Sequence, residues 1–445
     1  LGISSLSIAF FAILKGMSER LLRRIYAAGL LVIFFGIVLH APISVALGSA
    51  FPDYALLVKA WKELLMLVLG IPALILVTRH KLWPTLWQST LVRLMTVYVL
   101  LLLVLAFFSG HGTLATVAGL MIDLRFVAFF LLSYVFALIE PRAPRWALKA
   151  VSAGAVLVVG FGLLQIAVLP DDILTRIGYG NDTITPYSTI DKNPDFVRIN
   201  STLRGPNPLG AFMVILLGLI SAWWIRHRRD LTQRQYLLLV LIIASVVAVL
   251  FATYSRSAYL GAIIAVLAVG AAMIQRISRK WLYGLAVAAV IVGSGLVVIQ
   301  QTDWYANVIM HEDPESKVVR KSNSEHVRSL KESYTSALRT PLGSGIGSTG
   351  SASLYADNTK PTVVENYFLF VARESGWLGL ALFSAITIVS LVNLWTLRRN
   401  WQATGLFASG LAMAVIGLLL PVWVDDTVAL VWWGLTGVIL AHAGR

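Results

Sequence analysis

The chain has 445 residues, of which 58% are hydrophobic and only 13% are charged, and its mean hydropathy is +0.79. This composition excludes a soluble globular domain and predicts an all-α polytopic membrane protein. The chain has no cysteine, which excludes disulfides, thiol catalysis and cysteine-ligated metals. The net charge of +14 first suggests nucleic acid as a partner, but the positions of the charges argue against it.

Apolar stretches long enough to cross a bilayer as helices occur about twelve times. Residues 1–14 are apolar but short and precede a basic segment, so we expect them to lie at the membrane interface, and they lack the cleavage site of a signal peptide. We expect residues 1–445 to form a single integral membrane domain. The predicted spans are 25–47, 59–78, 91–108, 114–139, 147–169, 208–226, 236–254, 258–275, 281–300, 376–397, 402–421 and 427–442.

The basic residues indicate the topology. More than half of the 36 lysines and arginines lie at alternate helix ends, which the positive-inside rule makes cytoplasmic. An even number of spans then places both termini in the cytoplasm and two long segments, 170–207 and 301–375, on the opposite face. Because the basic charge reflects topology, no nucleic-acid partner is expected. Within the second segment we expect short helices, notably at 323–338.

Three further cations lie within predicted spans. Lys59 and Lys62 share one face at the start of the second span. Arg125 lies in the outer half of the fourth, where an ionisable group usually faces a wet cavity or a partner. The lysines are expected either to line a cavity or to extend toward the headgroups. Arg125 either lines the cavity or pairs with Glu63 or Asp123, although Asp123, two residues away, should point elsewhere.

The segment Arg198-Ile-Asn-Ser-Thr-Leu-Arg204-Gly-Pro-Asn207-Pro208 precedes a predicted span. We expect Asn207 to cap this helix, with Pro208 at its first position. The amino end of the helix carries partial positive charge and faces the outer surface. Capping alone explains Asn207 and Pro208, but it explains neither Arg198 nor Arg204. The segment therefore predicts an anion site.

A short polar break, Tyr254-Ser255-Arg256-Ser257, precedes another helix that enters from the outer face. The simpler interpretation is a tight turn with one solvated arginine. We favour a function, because positive charge is normally sparse on that surface. The turn is also too short to carry the Arg256 side chain far from the membrane.

The second long segment contains two further candidate features. Alternating glycines at 343, 345 and 347 follow His326 and Arg328, and their backbone N–H groups are predicted to form an anion nest, the alternative being a flexible linker. Glu365 lies where the segment returns to the membrane. Glu365 is a candidate general base. The alternative is that its carboxylate only stabilises the start of a helix, at the positive end of the helix dipole.

Several signals are absent from the sequence. It has no P-loop motif, no dinucleotide fingerprint and no aspartate or histidine cluster suited to a divalent cation. We therefore expect no metal and no other cofactor. A reaction on the outer face would need a donor that is already activated, and a lipid pyrophosphate meets that need if arginines neutralise its developing charge.

The second part of the chain resembles the O-antigen ligase / O-antigen polymerase superfamily of bacterial envelope glycosyltransferases. The matching features occur in the family's order between residues 195 and 380. They are an upstream arginine with Arg204-Gly-Pro-Asn-Pro, the Ser255-Arg256 turn, Arg328 followed by Pro341-Leu-Gly-Ser-Gly-Ile-Gly347, and Glu365-Asn366 with Gly376 and Gly379.

The resemblance implies transfer of a glycan from undecaprenyl pyrophosphate at the periplasmic face of the bacterial inner membrane, without a metal. In ligases the acceptor is the lipid A–core oligosaccharide, and in polymerases it is another lipid-linked repeat unit. We expect an O-antigen ligase, with an O-antigen or exopolysaccharide polymerase as the alternative. A protein O-glycosyltransferase is a further rival. A lipid or glycan transporter ranks low, because its charges should line a path at mid-membrane.

The positions of the charges and the resemblance together lead us to predict roles for particular residues. Arg198, Arg204 and Arg256, with Asn207, would bind the pyrophosphate. Arg125 or Lys62 would line the cavity, and Arg328 would orient donor or core phosphates.

The family's ligases usually carry His-Asn where this chain has Glu365-Asn366, at the same spacing to Gly376. Either Glu365 serves as the base, or His326 does, or the reaction needs no strong base. Glu365 is the first choice and His326 the second.

Overall fold

The computed structural model describes residues 17–190, 193–273, 321–357 and 361–444, apart from the side chains of residues 321–327 and 329. Its helices, numbered in chain order, are α1 (Glu19–Gly36), α2 (His40–Ala50), α3 (Ala55–Lys59), α4 (Trp61–Arg79), α5 (Trp83–Gln88), α6 (Thr90–Phe107), α7 (Thr113–Ile139), α8 (Ala143–Ala167), α9 (Pro206–His227), α10 (Gln233–Ala252), α11 (Arg256–Met273), α12 (Lys321–Arg339), α13 (Tyr367–Thr396), α14 (Trp401–Gly417) and α15 (Asp426–Ala443). Strands β1 (Ser188–Ile190) and β2 (Asn193–Arg198) form an antiparallel pair.

The all-α polytopic architecture is confirmed. Within the described residues, ten segments are long and apolar enough to cross a membrane, and they correspond to ten of the twelve predicted spans. The predicted span 402–421 corresponds to α14, which has 17 residues. The predicted segments 1–14 and 281–300 lie outside the described residues.

The helix α15 lies at the centre of the bundle and packs along α7. Its residues Trp432 and Trp433 are fully buried, with ring centroids 4.7 Å apart. At Gly437 an added Cβ would lie 2.6 Å from the carbonyl oxygen of Phe130 in α7. Small residues at such contacts let two membrane helices approach closely. This packing holds the second half of α15 against α7.

A second close contact joins α9 to α11. At Gly210, in the first turns of α9, an added Cβ would lie 2.7 Å from the Cβ of Ala258 in α11. At Gly218, further along α9, it would lie 2.9 Å from the carbonyl oxygen of Gly405 in α14. The amino ends of α9 and α11 therefore lie side by side, which brings the residues that precede each helix together.

The start of α1 meets the ends of α4 and α7. Arg23 Nη2 lies 2.9 Å from His80 Nε2, and Arg23 Nη1 donates to the carbonyl of Ile139 at 3.5 Å. We call this end of the bundle, which carries the basic residues of 20–24, 79–81 and 142–149, the basic end. The opposite end, where α7, α9, α11, α13 and α15 begin, is called the loop end.

The start of α9 and the structure of the first long segment differ from the sequence prediction. The helix α9 begins at Pro206, after an extended Gly205, so Asn207 lies inside the first turn and does not cap the helix. Proline at the first position already has the helical φ and lacks only an N–H that would have no helical partner. The first long segment also contains the β1–β2 pair, which the helical periodicity did not predict.

The helix α13 begins nine residues before the predicted span and is broken at Gly376, where φ is 69°. The loop after α12 pairs the backbone groups that this break frees. The Trp377 N–H donates to the carbonyl of Pro341 at 2.9 Å, and the Ser344 N–H donates to the carbonyl of Arg373 at 2.6 Å. Non-helical backbone at such depth is tolerated where protein covers it. The predicted helix 323–338 is confirmed as α12.

Candidate active site

The segment between β2 and α9 is held rigidly by the helices beneath it. Ser201 is fully buried and has φ of 48°, its N–H donates to Gln165 Oε1 at 2.8 Å, and its hydroxyl donates to the carbonyl of Val158 at 2.6 Å. The Ile199 N–H donates to the carbonyl of Ala252, the last residue of α10. Because α8 and α10 both anchor this segment, the arginines on either side of it have fixed positions.

Arg198 connects the two predicted arginine segments. Its Nη2 donates to Asn207 Oδ1 at 2.7 Å, and its Nε donates to the carbonyl of Thr253 at 2.8 Å. One guanidinium therefore contacts the first turn of α9 and the turn that precedes α11. The amide of Asn207, which was expected to cap α9, instead orients Arg198.

Arg256 is the first residue of α11, and its side chain is half-buried. Burial lowers the pKa of the Arg198 guanidinium to about 10, and the positive charge of Arg256 contributes in the same direction. The two cations are thus close enough to disfavour one another, and an anion placed against both would stabilise both charged forms. Tyr254, which precedes Ser255, has φ of 48°, an uncommon conformation for a non-glycine residue.

Arg204 lies two residues before α9 and is exposed. Its Nη2 donates to Ser351 Oγ at 3.3 Å, so it contacts the segment that follows the glycine-rich loop. The charge of Arg204 also interacts with that of Arg125 in α7. Arg204 therefore connects the start of α9 to the segment that follows the glycine-rich loop.

Lys62 and Arg125 belong to a buried ion cluster, formed by these two residues with His40, Glu63 and Asp426. Lys62 is 2% exposed and Arg125 is 6% exposed. The Lys62 ammonium lies 2.8 Å from Asp426 Oδ2 and 3.1 Å from Glu63 Oε2, and Arg125 pairs with Asp426 Oδ1. Arg125 also donates to the carbonyl of Val424 and lies 3.9 Å from Glu63. The expected pairing with Glu63 is thus only a long contact, and the main partner is Asp426.

His40 completes the cluster. Its Nδ1 accepts the indole N–H of Trp61 at 3.0 Å, and an indole nitrogen can only donate. The His40 Nε2 lies 3.0 Å from Asp426 Oδ2 and 3.3 Å from the Lys62 ammonium. Beside His40, the buried ion cluster holds two cations and two carboxylates.

Glu365 and Asn366 lie where the loop returns to α13. Asn366 caps α13, because its Oδ1 accepts the Leu369 N–H at 3.0 Å. Its Nδ2 donates to the carbonyl of Leu418, which ties this corner to the end of α14. Glu365 is half-buried and stands immediately before the cap. The corner is therefore well fixed, with the carboxylate of Glu365 at the loop end of the bundle.

Of the three glycines predicted to form an anion nest, Gly347 does so, and the anion it binds is a carboxylate of the protein. The Gly343 N–H instead donates to the carbonyl of Thr340. Gly343, Gly345 and Gly347 all have positive φ. The N–H groups of Gly347 and Thr349 donate to the two carboxyl oxygens of Glu374, at 2.9 and 3.0 Å. These two donors are therefore engaged within the protein.

Glu374 also contacts a second buried acid. Its carboxyl group lies beside that of Asp123 in α7, and both residues are at most 5% exposed. This pair fixes α7 against α13 and, through the nest, holds the loop that leads to Ser351 and hence to Arg204.

Arg328 and His326 lie on α12. The Arg328 side chain is 78% exposed, and its Nε donates to Glu332 Oε1 at 2.7 Å, one turn further along the helix. The side chain of His326 lies outside the described part. The end of α12 is docked on α13, since the Trp377 indole donates to the carbonyl of Ala337 at 2.8 Å.

Sequence reasoning missed four residues of this region. They are His40, Glu374 and Asp426, together with Ser351. Glu374 and Asp426 had a usable signal, because each is a carboxylate at the edge of a strongly apolar stretch. A buried acid in such a place needs a partner. His40 also had a signal, because it is an ionisable residue inside the predicted span 25–47. Nothing in the local sequence distinguishes Ser351 from surface residues.

The helices define a polytopic α-helical membrane protein, and its loop end gathers arginines from separate segments. Residues 240–384 match the model of a family described as O-antigen ligase. The matched segment contains Arg256, the glycine-rich loop, Glu365 and the break at Gly376. The resemblance to the O-antigen ligase / O-antigen polymerase superfamily is thereby confirmed for this part of the chain. No curated protein matches the chain.

Proposed function

We propose that the protein is a periplasmic-face glycosyltransferase of the inner membrane, an O-antigen ligase. It would move O-antigen glycan from undecaprenyl pyrophosphate to lipid A–core oligosaccharide. The family match supports glycosyl transfer on lipid-linked glycans. The basic end then faces the cytoplasm by the positive-inside rule, and the loop end faces the periplasm.

One observation carries the proposal. Arg198 contacts Asn207 at the start of α9 and the turn before α11, where the charge of Arg256 lies beside it. Two cations that disfavour one another, at the amino ends of two helices, form a site that an anion would stabilise. Arg204 extends this positive region toward Ser351.

In the proposed reaction, a hydroxyl oxygen of the acceptor attacks the anomeric carbon of the glycan. The bond from that carbon to the pyrophosphate oxygen breaks, and the electron pair stays on the pyrophosphate. Arg198, Arg204 and Arg256 stabilise the charge that develops there. The configuration at the anomeric carbon inverts. Glu365 accepts the hydroxyl proton, and His326 is the second choice for this role.

Three further predicted residues, Lys62, Arg125 and Arg328, have supporting roles in the proposal. Lys62 and Arg125 would support the pyrophosphate site from within the buried ion cluster, where both are paired with Asp426. The charges of Arg125 and Arg204 interact with one another. Arg328, exposed on α12, would contact phosphates of the donor or of the core.

Two measurements test the function. Purified protein in detergent, given labelled lipid-linked donor and lipid A–core, should release undecaprenyl pyrophosphate and form labelled lipopolysaccharide. A transporter would turn over no donor. In a deletion strain, loss of a ligase leaves unattached lipid-linked polymer, whereas loss of a polymerase leaves cores capped with a single repeat. Single-repeat caps would contradict the ligase proposal and favour the polymerase.

The assignment of the base has its own test. Glu365→Gln should lower kcat by roughly 10²- to 10⁴-fold with little change in the KM for the donor, because a general base acts only in the transition state. His326→Gln should leave kcat nearly unchanged. The exposed carboxylate of Asp182, in the first long segment, provides a control, Asp182→Asn. A large loss in His326→Gln alone would transfer the role to His326, and no loss in either variant would mean that no strong base is needed.

A further inference from the structure

A cavity of about 810 Å³ lies at the basic end, away from the proposed active site. It is an open cleft, lined by α1, by the end of α7 and by the start of α8. Five cationic side chains line it, against one carboxylate, that of Glu140. The cations are Arg20, Arg23, Arg24, Arg142 and Lys149.

The deeper lining is apolar. On α1 the cavity is lined by Ala27, Ala28 and Leu31, which follow the arginines along the same helix, and on α8 Trp146 and Ala150 lie beside Lys149. Alanines at these positions leave room that larger side chains would fill. The cavity therefore has a cationic mouth and an apolar floor that extends toward the membrane interior.

The cationic mouth is built in part by contacts within the protein. Arg23 is held by Glu19 at 2.5 Å and by His80 at 2.9 Å, which fixes its guanidinium at the cavity wall. The carboxylate of Glu140 accepts the backbone N–H of Arg142 at 3.0 Å, so it serves the turn between α7 and α8. With five cationic groups and a single carboxylate, the described lining has an excess of four positive charges.

We propose that this cavity binds an anionic phospholipid, with the phosphate at the cationic mouth and part of an acyl chain over the apolar floor. Basic pockets between membrane helices on the cytoplasmic side are suited to lipid phosphates. A soluble phosphate compound would use the mouth alone and leave the apolar floor exposed to water. The bound lipid would join α1 and α8 to the end of α7, the helix whose other half carries Asp123 and Arg125. This proposal does not depend on the proposed enzymatic activity.

Native mass spectrometry of the full chain in a non-ionic detergent tests the proposal. The probes are dioleoyl phosphatidylglycerol, dioleoyl phosphatidylcholine with the same chains, and inorganic phosphate. The wild-type protein should retain phosphatidylglycerol and should not retain phosphatidylcholine. Inorganic phosphate at millimolar concentration should not displace the bound lipid.

Two variants locate the site. A triple variant, Arg20→Gln, Arg24→Gln and Lys149→Gln, should bind phosphatidylglycerol roughly 100-fold more weakly. Each basic residue near an anionic headgroup raises the affinity for the lipid by a factor of about five. Ala28→Trp should also weaken binding, because it fills the cavity without changing any charge. This second variant keeps the test decisive if the triple variant folds poorly.

The matched control removes the same number of charges at the basic end but outside the cavity, with Arg226→Gln, Arg228→Gln and Arg229→Gln. All three side chains are exposed. The control should bind phosphatidylglycerol as the wild-type protein does. Equal retention of the two lipids, equal loss in the control, or displacement of the lipid by inorganic phosphate would each overturn the proposal.

Discussion

Replacing Arg256 by alanine should lower glycan transfer by roughly 10³-fold or more, because an arginine that neutralises a departing phosphate contributes at least that factor in other phosphate chemistry. Arg256 begins α11 beside Arg198, so its guanidinium lies where the two arginine segments meet. Turnover of labelled lipid-linked donor by the purified variant measures the effect. The loss should fall mainly on kcat, since charge develops on the pyrophosphate only as the glycosidic bond breaks.

The fold should tolerate this substitution. The position of α11 is set by the contact between Gly210 and Ala258 and by its packing on α14, and Arg256 takes no part in either contact. Membrane insertion and thermal unfolding should therefore match those of the wild-type protein. Arg256→Lys should recover part of the activity, because it keeps the charge but loses the planar guanidinium. Arg229→Ala, at the basic end, is the matched control. Full turnover in Arg256→Ala would remove the centre of the proposed mechanism.

The membrane architecture could be predicted from the sequence because its cause is local. A span needs a sufficiently long apolar stretch, and the ten described spans follow from that requirement. The first and last residues of the helices could be predicted less accurately than the spans themselves, because a helix can extend beyond its apolar stretch. The helix α13 begins at Tyr367 for this reason, and it tolerates the break at Gly376 only because the distant loop at 341–344 pairs the freed backbone groups.

The arginines of the candidate site could also be found, because a positive charge at the loop end conflicts with the topology and needs a reason. The arrangement of these arginines relative to one another could not be predicted from the sequence. The sequence indicated that Asn207 caps a helix, whereas the structure shows its amide bound to Arg198. That contact depends on β2 ending beside α9, which is a matter of tertiary packing.

The partners of the buried charges were the hardest to predict. Arg125 bonds to Val424, which lies 299 residues away in the chain, and pairs with Asp426 beside it. The glycine nest was predicted, but its anion proved to be Glu374, on a different helix. Sequence pattern identifies groups that need partners, whereas the choice among partners depends on which helices pack together.

The buried ion cluster leads to the second large effect. Asp426→Ala should destabilise the protein by about 3–5 kcal/mol, because removal of one member of a buried ion pair leaves uncompensated charge in the interior. Asp426 contacts Lys62 at 2.8 Å and also pairs with Arg125, so both cations would lose their main partner. Thermal unfolding of the purified variant in detergent measures the loss.

The neighbouring Asp425 provides a comparison for helix capping, although its charge also interacts with those of Lys62 and Arg125. Asp425 caps α15, since its Oδ1 accepts the Val428 N–H at 3.1 Å, and loss of a cap costs about 1 kcal/mol. Asp425→Ala should therefore be much milder than Asp426→Ala. Adding Lys62→Met to Asp426→Ala should recover part of the stability, because it removes the excess positive charge that the loss of Asp426 leaves beside Glu63. Two outcomes would contradict this prediction: Asp425→Ala as damaging as Asp426→Ala, or no recovery of stability with Lys62→Met. Either would mean that the stability is lost at the start of α15 and that the buried ion cluster does not stabilise this end of the bundle.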